Sequence, residues 1–155
     1  MNSLSDFFKD VRAAVNEATE VSLNNTAKKI CQDMRKNVAV DTGKLKRSIS
    51  QKTERTNKTT VTAYIYANAK NKENGAQYAK FVEDGTGRYN VNGDGRKTPW
   101  RYKDSKGNWH TTEGKTAKPF IKPAVDYIMP EYFEKQIKRN ISKYFKNKSK
   151  EQNKE

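Results

Sequence analysis

One histidine, one cysteine and one adjacent pair of carboxylates are the side chains best suited to chemistry, and their spacing assembles little. His110 sits between Trp109 and Thr111, whereas Cys31 follows Ile30 in a helical pattern. The two belong to separate elements and cannot close a zinc site. Cys31 is expected as a buried small hydrophobe. A single cysteine allows no intrachain disulfide, which fits synthesis in a reducing cytoplasm. Glu83 and Asp84 precede Gly85, but a general acid–base pair needs partners at set distances, and no second acidic cluster offers one. Solvation or ion pairing is the expected role of both. Gly85-Thr86-Gly87-Arg88 could offer backbone amides to an anion, as many glycine turns do. No G-x-S-x-G, H-E-x-x-H or GK[ST] pattern occurs. No catalytic, metal-binding or cofactor-binding residue is expected, and the chain is read as a non-enzyme without cofactor.

A denser constellation is Trp100, Arg101, Tyr102, Lys103 and Trp109. Three readings stand side by side: aromatic rings stacking on bases while the cations meet phosphates, cross-strand aromatic pairs holding a hairpin together, and a protein-docking arm, for which Trp, Tyr and Arg are favoured anchors.

The elements that must carry these residues follow from periodicity. The first 37 residues lack Gly and Pro, and apolar residues recur in steps of three and four from Leu4, Phe7 and Phe8 to Ile30 and Met34. This predicts a long amphipathic helix, capped by Ser3 or Ser5, with a weak spot at Asn24-Asn25. Asp41-Thr42-Gly43 predicts a turn, and Leu45 and Ile49 share a face of the short piece after it. Residues 59–67 alternate as a strand, with 49–56 as its hairpin partner and Asn57-Lys58 at the turn. Residues 68–75 read as a loop, and 77–82 return to order before Gly85. Residues 88–117 form a glycine-rich arm, mobile over 90–95, with a hairpin over 99–112 and its tip at 104–108. Pro119 and Pro123 bracket Phe120 and Ile121 ahead of a second helix striped by Ala124, Ile128, Phe133, Ile137 and Ile141. Pro130 predicts a kink or a fresh start in that helix. The chain is read as one domain over 1–145 and a charged, disordered tail over 146–155.

Hydrophobic residues make up 33% of the 155 and charged residues 32%, so the core is thin and assembly is expected to add stability. The net charge of +14 suits a nucleic acid, an anionic surface or an acidic protein, but it is spread along the chain. Residues 1–48 hold 9 basic and 6 acidic side chains, and residues 88–118 hold 8 and 3. No apolar run approaches the ~20 residues needed to span a bilayer, and no secretory segment follows Met1.

Three segments, in order, resemble one family: Val38 to Ile49 around Asp41-Thr42-Gly43, with Leu45 and Ser48; Tyr78-Ala79-Lys80-Phe81-Val82-Glu83-Asp84-Gly85-Thr86; and Lys118-Pro119-Phe120-Ile121-Lys122-Pro123-Ala124. The pattern is similar to the phage family typified by gene product ten of the lambdoid phage HK-ninety-seven, over about residues 27–144. Val40 departs from it where a proline often stands, and residues 88–117 are longer than in compact members. The resemblance implies an α+β fold, with N- and C-terminal helices packed on a small antiparallel sheet and an extended hairpin arm. It implies a structural virion protein at the neck of a siphophage, made in the host cytoplasm. This would be a tail-completion or head–tail joining subunit, ringed six-fold with copies of itself yet weakly associated in solution. The implied neighbours are a head-closure or connector protein and a tail-tube or tail-terminator protein. DNA would pass nearby without specific binding, and no membrane is involved. The motif residues are expected as fold determinants, with Tyr78, Phe81 and Val82 under the long helix, Glu83 capping or pairing locally, Gly85 permitting a tight exit and Phe120 plugging the core. The alternative class is a basic nucleic-acid-binding protein using the aromatic hairpin.

Overall fold

The computed structural model describes residues 3–70, 75, 77–104 and 106–152. Residues 71–74 of the expected loop, Ser105 of the expected hairpin tip and 153–155 of the expected tail lie outside the described residues. The fold is α+β. In chain order it comprises α1 (Leu4–Asn37), α2 (Lys44–Ser48), β1 (Ile49–Arg55), β2 (Val61–Ala67), α3 (Ala79–Asp84), a 3-10 turn (Gly87–Tyr89), β3 (Trp100–Lys103), β4 (Trp109–Thr112) and α4 (Lys122–Gln152). Its sheets are two separate two-stranded hairpins, β1-β2 and β3-β4. No helix among the described residues is long and apolar enough to cross a membrane.

The chain divides into two compact units. One comprises Met1–Gln32, Ser50–Ile65 and Ala124–Glu155, and the other Asp33–Ile49 and Tyr66–Pro123. In the first, α1 begins with a reciprocal box: Asp6 N–H donates to Ser3 Oγ at 3.2 Å, and Ser3 N–H donates to Asp6 Oδ2 at 3.2 Å. Two orphan donors of the first turn are thereby satisfied. The helix passes Asn24-Asn25 without a break, because both side chains bond outward: Asn24 Oδ1 accepts from Gln51 at 3.2 Å and Asn25 donates to Gln136 at 3.4 Å. Its seam differs from the predicted one. Ala14, Ala18, Ser22, Thr26 and Ile30, each four apart, are buried, while Leu4, Phe7, Phe8 and Val15 are exposed. Small side chains let another backbone come close, and the polar ones among them are satisfied. Thr26 Oγ1 donates to the Ser22 carbonyl at 2.8 Å, and Asn140 Nδ2 donates to Ser22 Oγ at 3.0 Å. With the ion pair of Lys148 and Asp10, these contacts zip α1 and α4 together antiparallel.

The first hairpin lies along the same helix. Arg55 bonds Glu20 Oε2 at 2.8 Å and the Asn16 carbonyl at 3.1 Å. Asn57 Oδ1 accepts the amides of Thr59 and Thr60, both at 2.9 Å, so those two residues belong to the turn and β2 starts at Val61. α4 runs unbroken through Pro130 and on as helix to Gln152, through the stretch read as a charged tail.

In the second unit, Gly43 stands at φ +73° before α2, a left-handed conformation that glycine adopts cheaply. The turn drives Leu45 and Ile49 into the interior, 5% and 1% exposed. Arg35 donates to the Ile49 carbonyl at 2.5 Å and so ties the end of α1 to the start of β1.

Pro130 removes one backbone donor from the interior of α4. Pro130→Ala should therefore stabilise the chain by about 2 kcal/mol, the ~3 kcal/mol of an interior proline less what proline gains from a restricted unfolded chain. A higher urea midpoint with unchanged helicity checks this; a lower midpoint would show that packing requires the proline ring.

Candidate functional site

The second and third motifs meet in the second unit, at the junction between α3 and the approach to α4. That approach reads Lys118-Pro119-Phe120-Ile121, with no Ser, Thr, Asp or Asn to cap the helix that follows. Glu83 supplies the cap from far along the chain. Its Oε2 accepts the amides of Phe120 at 2.7 Å and Ile121 at 2.8 Å, and its Oε1 accepts that of Lys122 at 2.8 Å. Phe120 is 1% exposed. Lys118 N–H closes the other side on the Val82 carbonyl at 2.8 Å. Glu83 is thus a structural acceptor, whereas its neighbour Asp84 contributes a carbonyl, to Val91 N–H at 2.9 Å.

The remaining motif positions are architectural in the same sense. Thr42 lends its carbonyl to Arg47 at 3.2 Å, and Ser48 Oγ donates to the Leu45 carbonyl at 2.8 Å. Ala79 and Ala124 are buried, Tyr78 is partly buried, and Pro119 and Pro123 are exposed. Phe81 departs from expectation. It is 50% exposed, because α3 turns it outward between two grooves. One groove, about 650 Å³, is lined by Val40, Tyr78 and Val82; the other, about 510 Å³, by Lys80, Arg96 and Trp100.

The anion-cradle reading of Gly85-Thr86-Gly87-Arg88 fails here. Thr86 N–H donates to the Lys115 carbonyl at 2.8 Å and Arg88 N–H to the Glu113 carbonyl at 3.0 Å, so these amides are already spent. The two strips approach so closely that a Cβ on Gly87 would stand 2.1 Å from the Glu113 carbonyl oxygen, and one on Gly114 would stand 1.9 Å from that of Thr86. Arg88 and Glu113 pair across the strips at 2.5 Å. Asn90, expected in a mobile stretch, anchors a turn by accepting Asn92 N–H at 2.8 Å and donating to the Gly85 carbonyl at 3.2 Å.

From this clamped base rises the predicted hairpin. Register pairs Trp100 with Thr112, Arg101 with Thr111, Tyr102 with His110 and Lys103 with Trp109. One face therefore carries Trp100, Tyr102 and His110, and the other Arg101, Lys103 and Trp109. Tyr102 stacks on His110 at 5.4 Å. Arg101 and Lys103 lie over the Trp109 ring at 5.0 and 5.1 Å, and Arg96 lies 5.7 Å from that of Trp100. Asp104 organises the tip: Oδ1 accepts the amides of Lys106 and Asn108 at 2.9 Å, and Oδ2 pairs with His110 Nε2 at 2.9 Å. The His110 contact, then the Asn108 amide, lower the Asp104 carboxyl from 3.8 to about 2. Among the described residues, no group of three or more His, Cys, Asp or Glu is placed to hold a metal ion.

Everything convergent in this region fixes the path of the chain, and what it presents outward is aromatic and cationic surface. The chain belongs to the HK97-gp10-like family: the family model described as "Bacteriophage HK97-gp10, putative tail-component" matches residues 2–85. It is a bacteriophage tail protein. The match contains the Asp41–Ile49 and Tyr78–Gly85 motifs; the Pro119–Ala124 motif and the arm lie beyond it. No curated protein and no solved structure matches the chain.

Glu83→Ala strands three backbone donors and should cost about 2–3 kcal/mol. This would lower the melting temperature by about 5–10 °C, against less than about 0.5 kcal/mol for Asp84→Ala. An equal loss for both would show that Glu83 acts only as a charge. The lowered Asp104 carboxyl contributes stability to the tip above 3.8, lost as pH falls through about 2. The NMR shifts of the Lys106 and Asn108 amides should titrate with that midpoint and become silent to it in Asp104→Ala.

Proposed function

We propose that this tail protein is a tail-completion or head–tail joining subunit that forms a closed ring at the head-proximal end of the tail. The observation that carries the reading is the placement of apolar side chains in a protein with few of them. Leu4 (70%), Phe8 (60%) and Phe81 (50%) are left exposed, Phe81 from within a motif of the matched family, while alanines, Ser22 and Thr26 line the α1 seam. Exposed apolar surface of this kind marks contacts with other molecules. Head-to-tail contacts between different patches of identical subunits generate rings when the rotation closes. Neighbours in the role are a connector or head-closure protein on one side and a tail-tube or terminator protein on the other. Each patch is small, so association in solution is weak and the ring forms on its template.

The test is electron microscopy of particles from a phage lacking the gene, with and without the purified protein. Separate heads and tails that join only after addition support the reading, and Phe81→Asp protein should fail to restore joining while remaining folded. Normal infectious virions without the gene would overturn it.

A further inference from the structure

The hairpin arm concentrates cations that its own fold leaves uncompensated. Residues 88–118 hold 8 basic and 3 acidic side chains. Two of the three acids are engaged within the arm: Glu113 pairs with Arg88 at the base, and Asp104 bonds the tip amides and His110. Arg96, Arg101, Lys103 and Lys106 form no ion pair with a described residue. Three of these four are organised by aromatic rings. Arg101 and Lys103 lie on the Trp109 indole, and Arg96 on that of Trp100. A cation held against an aromatic ring keeps its charge and loses rotamer freedom, so less entropy remains to be lost when an anion binds.

The arrangement also says what kind of anion fits. Trp109 is 58% exposed but holds two cations against its ring, so a base stacking there competes with them. The cations stand on both sides of the arm: Arg101 and Lys103 on one face of the two-stranded ribbon, and Arg96, four residues before β3, against Trp100 on the other side at the root. An acidic protein surface meets one face at a time. The major groove of B-form DNA is about 12 Å wide, admits a two-stranded ribbon, and is walled by phosphates on both sides. We propose that the β3-β4 arm is a sequence-independent contact for duplex DNA, entering the groove edge-on with Arg101 and Lys103 toward one phosphate wall and Arg96 toward the other. Asp104 serves this contact indirectly, by keeping the tip of the arm folded. The contact rests on the arm alone and stands or falls independently of the ring.

The experiment is fluorescence anisotropy of a short labelled duplex titrated with the full chain at several salt concentrations. Neutralising three phosphates predicts binding about 40-fold weaker at 200 than at 50 mM salt, equal for unrelated sequences. Arg101→Ala with Lys103→Ala should flatten the logarithmic salt slope by about 2, and Arg96→Ala by about 1. Lys28→Ala with Lys29→Ala, on exposed positions of α1, tests whether diffuse positive charge suffices. The proposal is overturned if the α1 pair flattens the slope as much as the arm pair. It is also overturned if single strands bind more tightly than duplex, if poly-glutamate competes as well as DNA at equal charge, or if no binding is seen at the lowest salt. Circular dichroism matching the unsubstituted chain confirms that each variant is folded.

Discussion

The carboxylate of Glu83 resolves a conflict built into the start of α4. A helix must find acceptors or solvent for its first amides, yet this one is preceded by a phenylalanine that is almost wholly inaccessible and carries no capping side chain of its own. Pro123, early in the helix, has no N–H to satisfy, and Glu83 takes the Lys122 amide together with those of Phe120 and Ile121 just before the helix. One side chain with two carboxyl oxygens meets all three. With Lys118 bonded to Val82, the two ends of the long excursion between α3 and α4 are clamped together. The arm is therefore a closed loop with a fixed root. The glycine contacts between residues 85–88 and 113–115 tighten the same root by letting backbone touch backbone.

The first unit solves a different problem, how to pack long helices with few large apolar residues. Its seam uses residues that contribute little transfer free energy each but cost almost no side-chain entropy. Ser22 and Thr26 are admitted because their hydroxyls are satisfied, one from Asn140 and the other by the helix's own carbonyl. Much of the specificity of this unit is polar: the contacts of Asp10, Ser22 and Asn25 with α4, and of Asn16, Glu20 and Asn24 with the first hairpin, set register where apolar bulk does not.

Local pattern made the elements readable from the sequence. Steps of three and four without Gly or Pro gave α1, alternation gave both hairpins, and Asp-Thr-Gly gave the turn before α2. What local pattern could not carry was burial on a helix with more than one apolar stripe. Leu4, Phe7 and Phe8 fit the helical period as well as Ala14 and Ala18 do, and only the tertiary partners decide which stripe is covered. The same holds for Glu83. Its acceptors' partners lie 37 to 39 residues away, and nothing near it announces a cap except the missing one at residues 118–121. That absence before a proline-bracketed helix start is a signal that could have been read. Phe81 is expected inward from its residue type, although the period of the helix that carries it argues otherwise.

That period joins the two roles of the motif. Residues two apart on an α-helix point about 200° from one another, so a short helix that turns Glu83 toward the amides of the α4 approach must turn Phe81 away from them. Ala79 and Val82 take the sheltered side, and Lys80 shares the outer one with Phe81. The ring is held outward by the same three hydrogen bonds that hold Glu83 inward. An aromatic side chain fixed in this way has little backbone freedom, and it stands between two grooves of mixed lining, one holding Val40, Val82 and Lys118 and the other Lys80, Arg96 and Trp100. The motif therefore couples an internal cap to an exposed aromatic ring, both set by the period of one short helix.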